Sequence, residues 1–521
     1  MPLALVRPAE SAARRVLAVA DAAGNRLYGW KFNPLYQSGA LVAALFLVIL
    51  VTGLWLTLFY RVGAPWESVA RVTADPWFGN WVRGLHRYAS DLAVLATVVH
   101  AWRMFAERRS WGARTLAWVT GAVLLLLLLV CGWTGYVMVW DTFGSLLARE
   151  GARMLDALPF LSEPTGRAFT GEQPVPTVFF FINLFAHIGV PLAMGVAFWL
   201  HIKRLPRPTM FPPRPLLWGT VGLLTIVAVA WPLEMEPRAN PFVLPDQVPA
   251  DVFFAFWMPF SRGMGGGTAL LLAVAVGVAL VSVPLLTARR GRAVPLPSAV
   301  DEELCSGCTQ CATDCPYSAI TMVAREGSRP ALALVDPELC VSCGICAASC
   351  APMGVGPPGR TGRDQLVVAR TFLASPARRP GEVVVVGCAQ AVGKSASWPG
   401  AAAYPVSCAG NVHTSVIELL LRGGSGGVLL LTCPPRDCWN REGPQWLAER
   451  VHHGREAELQ ARVDRARVRI ADVSAGEPGR ARQIVADFVR EIDALVARGV
   501  GPMGEGEAEC RAPRVPERPH A

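Results

Sequence analysis

Residues 83–103 read RGLHRYASDLAVLATVVHAWR, and residues 185–208 read FAHIGVPLAMGVAFWLHIKRLPRP. Both stretches are mainly apolar, and each carries two histidines 14 residues apart: His86 and His100, then His187 and His201. In an α-helix that interval advances roughly 21 Å and closes to within about 40° of a whole number of turns. Each helix therefore presents two imidazoles on nearly one face, one near each end of a span that crosses a roughly 30 Å hydrocarbon layer. Histidine inside such a span is costly, rare and functional. Two helices running the same way pair His86 with His187 at one level and His100 with His201 at the other. Each pair offers a haem iron two axial nitrogens, a saturated coordination suited to electron transfer rather than oxygen chemistry. Gly39 and Gly53, then Gly121 and Gly135, repeat the interval, and a residue without Cβ lets a flat macrocycle approach its helix. Arg83, Arg87 and Arg103 flank the histidines as candidate partners for haem propionates.

Working outward, the 521 residues are 52% hydrophobic and only 17% charged, whereas soluble chains are nearer one quarter charged. The uncharged runs crowd into the first 290 residues. They predict six membrane helices, at about 36–60, 80–102, 115–138, 178–202, 215–233 and 265–287. A wholly soluble protein, a disordered chain and a secreted disulfide scaffold are excluded. Segments 1–33, 103–114, 203–214 and 289–292 hold 16 Lys/Arg against 3 Asp/Glu, while 61–79, 141–172 and 234–262 hold 7 against 11. The positive-inside bias makes the first set cytoplasmic, together with everything after residue 288. The net charge of +9 comes from arginines that bracket the apolar runs, not from a basic stripe with interleaved aromatics, so nucleic acid is not expected. The first 33 residues lack the compact apolar core of a cleavable signal. The expected organisation is a mostly α membrane protein: a cytoplasmic segment 1–33, a transmembrane helical bundle 34–288, a linker 289–300, and a polar remainder.

Over residues 25–290 the chain resembles the cytochrome b of quinol-oxidising bc complexes. RGLHRYASD is similar to that family's second-helix ligand motif, GWTGYVMVWD (132–141) to its third-helix glycine motif, and 185–208 to its fourth helix and exit. The resemblance implies a cytochrome b-like bundle with two b haems, His86/His187 for the outer and His100/His201 for the inner, and quinone pockets near each face. In that family a Pro-Glu-Trp-Tyr loop before the sixth helix supplies the glutamate that takes a proton from quinol. Here the loop reads Pro249-Ala250-Asp251-Val252, so Asp251 or Asp246 is the candidate substitute. Gln37 stands where plastid-type members attach an extra haem through cysteine, and the family's last two helices are replaced by the cytoplasmic half.

Twelve of the fourteen cysteines lie between 305 and 438, in patterns that suggest metal rather than disulfides in a reducing compartment. Cys305, Cys308, Cys311 and Cys315 follow the run C-x2-C-x2-C-x3-C, and Cys340, Cys343, Cys346 and Cys350 repeat it. Three thiolates at intervals of three wrap one [4Fe–4S] cube while the fourth serves the other. The expected sets are Cys305, Cys308, Cys311 with Cys350, and Cys340, Cys343, Cys346 with Cys315. Residues 301–358 thus resemble a bacterial two-cluster ferredoxin, an α+β domain, with Ala351 in place of the usual proline after the last cysteine.

After a tract 359–382 read as a linker, 383–500 form a small α/β domain. Strands bring Cys388, Cys408 and Cys433 to one sheet edge, with Cys438 beside them. Four thiols suit a [2Fe–2S] centre or zinc; the spacing leaves both open. PVSCAG (405–410) and GGSGGVLLLTCPPRDC (423–438) resemble the delta subunit of methyl-viologen-reducing hydrogenase. That resemblance implies one [2Fe–2S] cluster and a flavoprotein or dehydrogenase partner. Cys388 stands alone where the family usually has a paired cysteine. Cys131, and Cys510 in the polar tail 501–521, have no role in these patterns, and no nucleotide-binding signature appears.

These readings combine into a bacterial inner-membrane electron-transfer subunit linking a cytoplasmic flavoprotein to the quinone pool, with net quinone reduction. It would sit in a multi-subunit complex that could be dimeric, and the linker 289–300 is short enough to keep the ferredoxin module near the inner haem. The alternatives are a bc-type quinol-oxidising subunit with a Rieske or c-type cytochrome partner, or a relay anchor whose quinone sites lie on another subunit.

Overall fold

The structure, a computed structural model, describes residues 2–158, 166, 169, 175–203, 205–240, 251–288, 295–327, 330–393, 396–452, 454–455 and 457–498. Asp246, Ala250 and Cys510 lie outside the described residues. The chain divides into two compact units, one holding 1–17, 32–204 and 208–289 and the other 18–31, 205–207 and 290–521. Helix α1 (Pro2–Phe32) contributes to both and breaks at Gly29, whose φ of 69° is outside the helical range.

Among the described residues, the elements of the first unit are helices: α2 (Ser38–Thr57), α3 (Pro65–Ala74), α4 (Gly79–Ala106), α5 (Thr115–Val139), α6 (Thr142–Leu155), α7 (Thr177–Ile202), α8 (Arg214–Ala230), α9 (Met258–Arg262) and α10 (Gly266–Thr287). Helix α5 stops where Trp140 turns left-handed, and Asp141 caps α6 by accepting the Gly144 N–H at 2.8 Å. Two antiparallel-in-sequence partnerships organise the bundle: α2 packs along α4, and α5 packs along α7. Ala89 and Ala93 on α4 are fully buried beside Leu45, Leu124 and Leu128, small residues that let helix backbones approach. The opposite faces carry exposed Leu47, Leu50 and Leu54 on α2, Phe181, Phe185 and Leu192 on α7, and Leu271, Val274 and Val278 on α10. A helix that is apolar on its outer face as well is a membrane helix.

Four helical stretches are long and apolar enough to cross a bilayer: 38–57, 112–139, 177–202 and 266–287. Of the six expected spans, those at about 80–102 and 215–233 do not meet that criterion among the described residues. Helix α4 is 28 residues long but carries Arg83, Arg87, Asp91 and Arg103, and α8 has only 17 residues, about 26 Å at 1.5 Å per residue.

In the second unit, β1 (Ala299–Val300), α11 (Gln310–Thr313), β2 (Ile320–Val323), β3 (Leu332–Val335), α12 (Ile345–Ser349) and β4 (Val355–Gly356) form the first cysteine-rich domain. Strand β1 pairs antiparallel with β4, and β2 with β3. The 35-residue sequence repeat is also a backbone repeat. Gly307 and Ser342, Thr309 and Gly344, and Ser318 and Met353 all have positive φ at matching positions, so both cysteine loops wind with the same left-handed steps.

The tract 359–382, expected as a linker, instead holds α13 (Gly362–Leu373), started by a capping box in which Thr361 and Asp364 bond each other's backbone N–H. Ala369 of this helix is fully buried in the core of the terminal domain. There β5 (Val383–Cys388), β6 (Ala401–Val406), β7 (Gly427–Thr432) and β8 (Val468–Asp472) make a parallel sheet in the order β6-β5-β7-β8. The runs VVVV and GVLLLT are buried on both faces, as helices on both sides of a parallel sheet require. One face takes α13, α14 (Thr414–Arg422) and α15 (Gly443–His452); the other takes Val485, Phe488 and Ile492 of α16 (Pro478–Ala497).

Candidate functional site

The four histidines occupy α4 and α7, and each meets a glycine of a partner helix. A Cβ added at Gly39 would lie 2.9 Å from Cε1 of His100, and one at Gly53 3.0 Å from His86. At Gly121 and Gly135 the corresponding distances to His201 and His187 are both 3.1 Å. Each of the four glycines thus lies directly against an imidazole.

The residue before each glycine holds that imidazole. Nδ1 of His86 lies 3.0 Å from Thr52 Oγ1 and 3.1 Å from the Ile49 carbonyl. Nδ1 of His201 lies 3.1 Å from Thr120 Oγ1, Nδ1 of His187 lies 2.9 Å from Thr134 Oγ1, and Nδ1 of His100 lies 3.4 Å from Ser38 Oγ. Each threonine donates its own proton to a carbonyl of its helix (Val48, Leu116 and Cys131 respectively). Its oxygen is then an acceptor, so Nδ1 carries the proton and Nε2 the lone pair that a metal needs. These Ser/Thr-Gly doublets were overlooked in the sequence, although they stand one residue before each repeating glycine.

The rings of His100 and His201 have centroids 6.5 Å apart. Two imidazoles bonded at about 2 Å to opposite sides of one metal ion have centres roughly 6–6.5 Å apart, so this pair fits one haem iron. His86 and His187 lie within electrostatic reach of each other. The flanking arginines are variously engaged. Arg83 donates to the Leu233 carbonyl at 3.0 Å, and Arg103 is buried with its guanidinium over the Tyr36 ring. Arg87 binds Asp91, Asp251 at 2.5 Å and Tyr136 Oη at 2.5 Å.

Asp251 is heavily partnered. Oδ1 accepts the backbone N–H groups of Phe253, Phe254 and Ala255 at 2.8, 2.6 and 3.2 Å. Oδ2 accepts from Arg87 and from the Tyr136 hydroxyl. Burial pushes its pKa up, but the Tyr136 hydroxyl, the Phe254 and Ala255 amides and Arg87 together hold it below the usual carboxylate value. The group is a fixed counter-ion with both oxygens taken.

The cysteines of the second unit fall into three sets. Cys305, Cys308, Cys311 and Cys350 line one pocket, matching the crossed assignment. Cys315 lies in the field of Cys340, and Cys346 in the fields of both. Backbone N–H groups point at sulfur at equivalent places in the repeat: Ala319 to Cys315 and Gly354 to Cys350, both 3.3 Å. Ser298 adds an N–H to Cys340 at 3.4 Å and a hydroxyl to Cys346 at 3.3 Å. Such donors suit thiolates bound to iron. Burial pushes the Cys311 and Cys346 thiols up to about 12, so iron must displace their protons to bind.

In the terminal domain Cys388 ends β5, and Cys408 and Cys433 follow β6 and β7, at the carboxyl edge where parallel sheets bind ligands. Sγ of Cys388 and Cys433 are 3.7 Å apart. The Cys433 thiol draws Cys388 down to about 6, while burial pushes Cys408 up to about 12. Gly443, first residue of α15, lies against Cys408 and Cys438, 3.3 and 3.4 Å from an added Cβ. That helix N-terminus favours negative charge on those sulfurs. The terminal set also adjoins the second ferredoxin set: Asn411 donates to the Gly344 carbonyl at 2.7 Å, and Cys343 feels Cys408. Among the described residues no disulfide forms. Nor, among them, do three His, Cys, Asp or Glu side chains converge on a single ion. Cys131 lies 3.8 Å from Nδ1 of His187.

Residues 26–207 match the family described as Cytochrome b/b6/petB, 304–354 the 4Fe-4S dicluster domain, and 384–496 the methyl-viologen-reducing hydrogenase, delta subunit. A solved chain titled "Hyperthermophilic respiratory Complex III" is similar over 48% of this chain and 75% of its own, at 16% identity and a TM-score of 0.38. The long apolar helices and these domains mark a membrane-associated redox protein. In order along the chain, then, it carries a cytochrome b domain, a 4Fe–4S dicluster domain and a domain of the hydrogenase delta-subunit family.

Proposed function

We propose that this chain is the quinone-facing electron-transfer subunit of an inner-membrane oxidoreductase complex, taking electrons from a cytoplasmic flavoprotein or dehydrogenase and delivering them to quinone. His86 with His187 and His100 with His201 would hold two b haems. The two crossed ferredoxin sets would hold [4Fe–4S] clusters, and Cys388, Cys408, Cys433 and Cys438 a [2Fe–2S] cluster. These groups supply one-electron carriers; the chain's residues fix their ligands, exclude water and tune their charge. The six sequence spans would all cross the membrane, with both ends and the second unit cytoplasmic.

The observation that carries this reading is the fourfold Ser/Thr-Gly-to-histidine contact, which orients four buried Nε2 atoms at two levels. The direction rests on Asp251. A proton acceptor for outer-face quinol needs a free oxygen within hydrogen-bond reach of the substrate. Asp251 is already clamped by three amides, Tyr136 and Arg87. That favours quinone reduction over bc-type quinol oxidation.

Rapid-mixing absorbance on the purified complex tests it. Reduced partner should bleach the iron–sulfur absorbance before the haem bands rise, and added quinone should then reoxidise both, in wild type and in Asp251→Asn. Haems reduced by quinol alone, with no passage from partner-reduced clusters, would overturn the direction.

A further inference from the structure

Arg450, on α15, is with Arg467 one of two arginines of the second unit at only 1% exposure among the described residues. Its position is specific. One terminal nitrogen donates to the Gly410 carbonyl at 2.9 Å, two residues past Cys408. The other lies 3.3 Å from Ser349 Oγ, next to Cys350, and 3.8 Å from Asp314, next to Cys315. The same side chain thus touches a residue within two positions of one cysteine from each of the three sets. Ser349 donates to Asp314 at 2.6 Å, and Arg455 pairs with the other Asp314 oxygen at 2.7 Å while stacking on Trp446. Two guanidinium groups therefore face one carboxylate. Nε of Arg450 is buried with no hydrogen-bond partner among the described residues. Among Arg450, Arg455 and Asp314, one positive charge is in excess.

Ion pairs of this kind are expensive to bury and contribute little stability compared with an apolar replacement. A buried net cation does, however, lower the energy of every negative charge placed nearby, and the low local dielectric magnifies that effect. Reducing an iron–sulfur cluster adds one negative charge to it. We infer that Arg450, offset by Asp314, is the electrostatic positioning residue that stabilises an electron on the three cluster sites and so lets it pass from the Cys388/Cys408/Cys433/Cys438 set into the ferredoxin sets. The step balances as a one-electron exchange: the terminal centre is oxidised, the adjoining cube is reduced, and no proton moves. The inference rests on the cluster assignments proposed above.

The test is EPR-monitored redox titration of the full-length holoprotein, with iron and acid-labile sulfide measured in every sample. Arg450→Gln should lower the potential of the terminal centre by about tenfold in its reduction equilibrium, ~59 mV for one electron. Arg450→Lys, which keeps the charge, should stay near wild type. Asp314→Asn should shift potentials the opposite way, upward. A purely structural role would move both neutralising variants in the same direction or neither, and that result overturns the inference. If Arg450→Gln loses its clusters, the opposite-signed pair of Asp314→Asn and Arg450→Lys still decides. Wild-type protein without iron and sulfide would instead sink the cluster reading itself.

Discussion

At Gly121 a valine would place its Cβ 3.1 Å from His201 and its methyl groups closer still. The ring is pinned by Thr120 at 3.1 Å, so it cannot retreat without giving up the bond that orients Nε2. Gly121→Val is expected to abolish the inner haem while leaving the outer one, and Gly135→Val to do the reverse. Pyridine haemochrome on each purified variant should give close to one haem per chain instead of two. Two haems in both variants would show that the glycine contacts do not hold the ligand imidazoles in place. The grouping of the histidines and the ferredoxin cysteines was legible because each run follows a regular spacing within a single loop or helix. Their supporting atoms were not, because Thr134 and His187 meet across 53 residues and Arg87 and Asp251 across 164, and no local pattern records a contact between distant helices.

Among the elements, the sheet of the terminal domain was legible in its strands but not in its extent. VVVV and VLLLT read as apolar strands, and the sequence placed cysteines at strand ends. The short polar strand β8 and the capped helix α13 went unread, since neither is continuously apolar. Helix α13 earned the name of linker from its flanking prolines and arginines, yet Ala369 closes one side of the core and Arg360, just before it, donates to the Ser342 carbonyl at 2.6 Å. Strand β7 is the central beam of this arrangement: Leu430 is fully buried and Cys433 follows three residues on. Leu430→Ala removes buried methyl groups from a site that collapses poorly, at a cost of about 2–5 kcal/mol. Chemical denaturation should show the terminal domain unfolding at clearly lower denaturant. Iron should be lost from the terminal set before the haems are affected. An unchanged midpoint would mean that β7 is not part of the cooperative core.

For the whole molecule, α4 and α8 are the two expected spans outside the four that qualify by length and hydropathy among the described residues. Packing argues that α4 crosses the membrane. It lies along α2, meeting it at Gly53 against His86 and again at Gly39 against His100. Those contacts are 14 residues apart on both helices, roughly 21 Å, so α4 travels most of a bilayer beside a helix that spans it. Its charges are offset where they fall: Arg87 is paired with Asp91 and Asp251. Helix α8 packs against α4, with Ala228 3.1 Å from a Cβ added at Gly84. Four spans and six spans both return the chain to its starting side, so a reporter at either end cannot separate them. The stretches 107–114 and 203–213 can. With six spans they are cytoplasmic; with four they are outside, carrying Arg108, Arg109, Arg114, Lys203, Arg204 and Arg207 against the positive-inside bias. A cysteine introduced as Thr209→Cys should therefore resist a membrane-impermeant maleimide in intact cells and react once the membrane is opened. Thr73→Cys, outside in both arrangements, should react from the start. Labelling at Thr209→Cys in sealed cells would leave four crossings, with α4 and α8 folded against the bundle from one side.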